Sequence, residues 1–226
     1  KPVVFRGESE ESRETGYLRL APGGRGLERL LWGAKAYAVA TMARDADVLL
    51  LTVSRFDEYP DLLLTDASLR APRKVSDLGA QMEPFLWGTG ELMRFKNADG
   101  KPLAGALFKP ANFDPKKKYP LLVYIYERLS QTVHGFVEPR PQHSINPAWY
   151  VSNGYVVLMP DIVYTLGHPG PSALKCVLPA VQAMVDAGYI DEGRIGIQGH
   201  SWGGYQIAYM ITQTNRFKAA EAGAPV

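Results

Sequence analysis

Ser201 sits in the run Gly199-His200-Ser201-Trp202-Gly203-Gly204, with a glycine two positions before it and another two positions after. A serine hydroxyl becomes a nucleophile when a sharp turn presents it and nearby N–H groups meet the negative charge its attack creates. The spacing G-x-S-x-G suits such a turn. The serine backbone is strained there, and the strand and helix on either side approach too closely for a Cβ at the flanking positions. Taken alone the motif is weak, and its setting is what strengthens it. An apolar run precedes it as a buried strand would, and a helical pattern follows. Ser201 then stands at a helix N-terminus, where the Trp202 N–H can donate to an oxyanion. A plain serine-capped turn gives no reason for glycine on both sides, and a phosphate loop needs a Lys-Ser/Thr pair that this run lacks.

The elements that must hold this turn read as α/β. From residue 89 onward, Glu91–Phe95 and Leu103–Lys109 flank Asn97-Ala98-Asp99-Gly100, a hairpin signal. Leu121–Tyr126 and Tyr155–Met159 lack polar alternation, as strands buried on both faces do. Asn146 before Pro147 predicts a capped short helix stopped by Gly154. Leu174, Val177, Leu178, Val181, Met184 and Val185 keep helical spacing up to Gly188, with Pro179 predicting a kink or a later start. Arg194–Gln198, a helix over residues 203–214 with Ile207, Met210 and Ile211 on one face, and a strand at Lys218–Gly223 complete the pattern. That alternation predicts a mostly parallel sheet wrapped by helices. Residues 1–88 are β-rich instead. Candidate strands are Val3–Arg6 (with Pro2 at its start), Tyr17–Leu20, Leu27–Trp32, Ala36–Ala43, Val48–Arg55 and Leu62–Asp66, with turns at residues 21–24 and 57–60. This spacing suits a sandwich, a barrel or propeller blades, and no internal repeat chooses among them.

Composition narrows the partners. A net charge of +2 is too mild to imply nucleic acid or an anionic membrane, and Lys116-Lys117-Lys118 between prolines reads as a solvated loop. The single cysteine, Cys176, excludes an internal disulfide and a cysteine-based metal site, and its apolar neighbours make it a small buried side chain. No apolar run reaches the length of a membrane span. Neither a cofactor nor a metal is indicated. The chain opens on Lys1 without an initiator Met, so a longer protein is expected, and a periplasmic, secreted or cytoplasmic location stays open.

Four stretches carry a resemblance to a known family: KYPLLVYIYERLSQ (118–131), NGYVVLMPDI (153–162), YIDEGRIGIQGHSWGGYQIAYMIT (189–212) and FKAAEAGAPV (217–226). Residues 89–226 resemble the prolyl oligopeptidase family of serine peptidases, nearest its dipeptidyl-peptidase and acylaminoacyl-peptidase-like members. The resemblance implies the N-terminal half of an α/β-hydrolase catalytic domain at 89–226, preceded at 1–88 by the closing blades of a β-propeller that restricts entry to short peptide substrates. It implies Ser201 as nucleophile, the Trp202 amide as one oxyanion donor and the Tyr126 phenol as a second, although Glu127-Arg128 departs from the small residues usual after that tyrosine.

The hydrolase order is Ser, Asp, His, yet residues 202–226 contain neither Asp nor His. The triad partners are therefore expected beyond residue 226, and this stretch alone is expected to be inactive. His200 should diverge from Ser201 across the turn, His134, His143 and His168 read as loop residues, and Asp161 reads as a turn or cap residue. Two other readings share the motif: an esterase or lipase using the same turn, and a hydrolase-like binding scaffold without a triad.

Overall fold

In a computed structural model the described residues are 3–38 and 41–226, and they form two compact units. One runs to Phe85 and includes His134–Phe136; the other comprises Leu86–Val133 and Val137–Val226.

Strands β1 (Val3–Glu8), β2 (Thr15–Leu20) and β3 (Leu27–Gly33) of the first unit form an antiparallel meander. The remaining strands are β4 (Ala36–Tyr37), β5 (Thr41–Met42), β6 (Leu49–Arg55), β7 (Glu58–Thr65) and β8 (Arg73–Lys74). In this second antiparallel sheet β6 pairs with β4, β5 and β7, and β7 with β8. Of the expected strand Ala36–Ala43, Val39 and Ala40 lie outside the described residues, as does Pro2. Tyr17, Tyr37, Leu49, Leu51 and Leu69 form this unit's core.

The turn expected at residues 57–60 is tighter than its composition suggests: the chain reverses at Phe56-Asp57, and Pro60 lies inside β7. The β6–β7 register shifts opposite it, between Val53 and Arg55, so the ladder makes no demand on the N–H that proline lacks.

Asp61 in β7 is 9% exposed and accepts from Ser76 Oγ (2.6 Å) and the Leu78 N–H (2.8 Å), with Lys74 Nζ at 2.8 Å. Burial opposes ionisation, but these three donors together outweigh it and bring the carboxyl down to about 2. A lowered folded pKa contributes stability that is fully present above the unfolded carboxyl value and is lost as the pH falls through about 2. Asp61→Asn is therefore expected to destabilise the protein by about 1–2 kcal/mol at neutral pH. Denaturant melts repeated down the acid limb should show the difference closing between pH 3.8 and about 2.

A single mixed sheet organises the second unit. The hairpin β9 (Thr89–Lys96) and β10 (Pro102–Lys109) turns where expected, with Asn97 Oδ1 accepting from the Asp99 and Lys101 N–H groups and Gly100 at φ +77°. Four later strands are mutually parallel: β11 (Tyr119–Tyr124), β12 (Val156–Pro160), β13 (Ile190–His200) and β14 (Ala219–Gly223). The sheet order is β14-β13-β11-β12-β10-β9, with β10 antiparallel to both of its neighbours. Helix α1 (Pro147–Ser152) begins at Asn146, whose side chain accepts from the Trp149 N–H at 3.3 Å. The core joins β11, β12 and β13 to α2 (Pro169–Asp186) and α3 (Trp202–Met210), with Cys176 fully buried inside it.

Two expectations about the helices are corrected. Of the two readings of Pro179, a kink or a later start, the later start is overturned, because helix α2 runs from Pro169 through Pro179. The carbonyl that a residue-179 N–H would have satisfied belongs to Lys175, and it accepts from the Ala98 N–H at 2.9 Å instead. Helix α3 ends at Met210, and Ile211, its C-cap residue, is 50% exposed, whereas Ile207 and Met210 are buried.

Candidate active site

Strand β11 lies between β12 and β13, so the chain leaves β11 toward one side and returns through α2 to the other. That is a topological switch point, where the carboxyl ends of adjacent parallel strands open a crevice. Tyr126 follows β11 and Ser201 follows β13, which brings both residues to this crevice.

Ser201 connects β13 to α3 with φ 55° and ψ −115°, a conformation that non-glycine residues avoid. Its N–H donates to Gly223 O at 2.8 Å and its carbonyl accepts from the Tyr205 N–H at 3.0 Å, so both neighbouring elements hold the strained turn. The hydroxyl makes no capping bond to α3. The Trp202 N–H is the first of that helix, and such groups have no acceptor within the helix.

The glycines are explained by backbone approach. A Cβ on Gly199 would stand 2.9 Å from Ile125 O, and one on Gly203 only 2.3 Å from the same oxygen. A Cβ on Gly204 would stand 2.6 Å from Gly223 O, so this glycine lets α3 close on the end of β14. Gly203 therefore presses the serine turn onto the Ile125-Tyr126 backbone. One contact thus sets both positions.

Tyr126 is 38% exposed, and its backbone is tied down on every side. The Ile125 N–H donates to Gln198 O (3.0 Å), and Glu127 O accepts from the Ile162 N–H (2.9 Å). Tyr126 O accepts twice, from Tyr164 Oη (2.8 Å) and Gln206 Nε2 (3.0 Å). The loop that follows hangs on Asp161, 4% exposed, whose carboxylate accepts from the Leu129 and Ser130 N–H groups (both 2.8 Å) and from Ser130 Oγ (2.6 Å). Asp161 is thus the loop-capping residue its position suggested.

Trp202 stacks on Tyr205, with ring centroids 5.3 Å apart, and its indole N–H donates to Tyr164 Oη at 3.1 Å. Burial pushes the Tyr164 phenol up to about 12, against the hydrogen bonds from Trp202 and Gln206, so it keeps its proton at neutral pH. Neither Tyr164 nor Gln206 was singled out from the sequence. Gln206 carried a signal, because it lies one turn before Met210 on the buried face of α3. Tyr164, in an irregular stretch, carried none.

His200 packs its ring against His143, with centroids 5.0 Å apart, and His168 is exposed ahead of α2. His134 belongs to the β-rich unit, where a ring nitrogen lies 3.4 Å from Ser12 O. Among the described residues no cluster of His, Cys, Asp and Glu is arranged to hold a metal.

Residues 141–226 match the model of the prolyl oligopeptidase family. The chain is 30% identical over 152 residues to human dipeptidyl peptidase 8, covering 60% of this chain and 16% of that protein. It is 31% identical over 208 residues to bovine prolyl endopeptidase FAP, covering 85% of this chain and 25% of the relative. The chain thus spans a quarter or less of the length of these relatives. Two solved structures share its fold. Acylaminoacyl peptidase from Pyrococcus horikoshii superposes with a TM-score of 0.74 at 19% identity, over 97% of this chain and 35% of that one. Dipeptidyl peptidase 4 from Porphyromonas gingivalis gives 0.72 at 22% identity, over 100% of this chain and 33% of its own. The segment that carries Ser201 and the helix behind it is thus the part of the chain that matches the prolyl oligopeptidase family.

Proposed function

We propose that this chain supplies the nucleophile and oxyanion donors of a serine peptidase that cleaves short peptides through an acyl-enzyme on Ser201. The observation that carries this reading is the strained Ser201 turn pressed onto the Tyr126 backbone at the switch point. Ser201 Oγ attacks the scissile carbonyl carbon and gives its proton to a histidine base. That histidine returns the proton to the departing amine, and water then cleaves the ester. Histidine and its orienting aspartate come from outside residues 1–226. The Trp202 N–H and the Tyr126 phenol stabilise the oxyanion. In this reading residues 89–226 are part of an α/β-hydrolase domain, and the β-rich unit before them forms closing blades of a propeller. Peptides are favoured as substrates by the relatives' names, dipeptidyl peptidase and prolyl endopeptidase.

A fluorophosphonate probe applied to the gene-encoded protein is expected to modify the peptide that contains Ser201, and an adduct on another residue would overturn the assignment. Turnover of p-nitrophenyl esters with none of p-nitroanilides would overturn the peptidase reading. Tyr126→Phe is expected to lower kcat on a dipeptide p-nitroanilide by about 10²–10³-fold, the usual loss for one oxyanion donor.

A further inference from the structure

The two proposed oxyanion donors lie on different elements, Trp202 at the start of α3 and Tyr126 after β11. One hydrogen-bonded network joins them. Gln206 is fully buried, and its Nε2 reaches both Tyr126 O (3.0 Å) and Tyr164 Oη (2.7 Å). Tyr164 Oη donates to Tyr126 O at 2.8 Å and accepts from the Trp202 indole at 3.1 Å. Both lone pairs of the Tyr126 carbonyl are thereby engaged, which fixes the peptide unit next to the Cα from which the phenol extends.

Gln206 Oε1 makes the arrangement costly. It is buried with no hydrogen-bond partner. An orphaned amide oxygen is unfavourable, and an apolar side chain of the same shape is usually tolerated as well or better. Stability alone therefore gives no reason for glutamine here, whereas an amide N–H₂ that must orient the Tyr126 carbonyl does.

We propose that Tyr164 and Gln206 are a positioning pair, which sets the Tyr126 phenol in register with the Trp202 amide and acts on catalysis through them. The inference rests on the active-site reading above. Its consequence is a separation of effects: removing either side chain loosens the aim of the oxyanion donors while the core packs as before.

The test is a double-mutant cycle in the gene-encoded protein, following kcat, KM and thermal midpoint on a dipeptide p-nitroanilide. Gln206→Met and Tyr164→Phe are each expected to lower kcat about 10–100-fold, the scale of a small misplacement, with KM within about twofold. The thermal midpoint of Gln206→Met should hold or rise. In a Tyr126→Phe background each change should cost less than about twofold further, because the group being aimed is gone. Losses that multiply across the two backgrounds, an unchanged kcat, or a loss of activity that tracks a fall in midpoint would each overturn the pair's role. Should Ser201→Ala retain turnover, or Tyr126→Phe leave kcat untouched, the active-site reading itself falls and takes the pair with it. If those two controls behave as expected and the losses multiply, only the pair is lost.

Discussion

Ser201→Gly in the gene-encoded protein is expected to yield a variant that is inert and more stable than the parent. Ser201 holds φ 55° and ψ −115°, a region costing an L-residue about 1–3 kcal/mol that glycine does not incur. Glycine loses about 0.5–1 kcal/mol more chain entropy on folding, so the net gain is expected at about 1 kcal/mol. Ser201→Ala keeps the Cβ and hence the strain, so its stability should match the parent. Both variants lack the hydroxyl, and turnover should fall by about 10⁴–10⁶-fold, the range seen when a serine nucleophile is deleted. Chemical denaturation and hydrolysis measured on the three proteins check this directly. Equal stability of Ser201→Gly and Ser201→Ala would mean that the turn stores no strain.

Gly203→Ala is expected to reverse an ordinary rule. Alanine in place of glycine within a helix normally stabilises by about 1 kcal/mol. Here the added Cβ would meet Ile125 O at 2.3 Å, a backbone atom that cannot swing aside. Either α3 or the Ile125-Tyr126 segment must shift, and overpacking of this kind is expected to cost about 3 kcal/mol or more. Activity should fall with it, because that segment carries the Tyr126 phenol. Gly196→Ala is the matched control in the same stretch. Its Cβ would find nothing closer than a leucine methyl at 3.5 Å, so its stability should change by less than about 1 kcal/mol. Thermal melts of the two variants side by side separate a steric cause from a general intolerance of alanine.

Much of the second unit was legible because its signals are local. The Asn97–Gly100 hairpin, the Asn146 cap and the helix stop at Gly188 depend on side chains and backbone within a few residues. Signals failed where a distant partner took over a local duty. Pro179 reads as a reason for the helix to start later, yet the helix runs through it, and Ala98, far away in sequence, satisfies the carbonyl it leaves open. Pro60 reads as a turn residue, yet a register shift against β6 accommodates it within a strand. The helix face assigned to Ile211 ended one turn early.

The residues of the proposed active site divide along the same line. Ser201, its flanking glycines and the strand-turn-helix around them follow from residue type and spacing, because a sharp reversal between packed elements restricts side-chain bulk over a few positions. What only the tertiary structure decided is which other groups meet that reversal. The strand order β13-β11-β12 places Tyr126 beside it, and the packing of α3 brings Gln206 and Tyr164 onto one carbonyl from 80 and 38 residues away. Spacing encodes a local turn, whereas a meeting of three separate elements exists only after the sheet has ordered its strands.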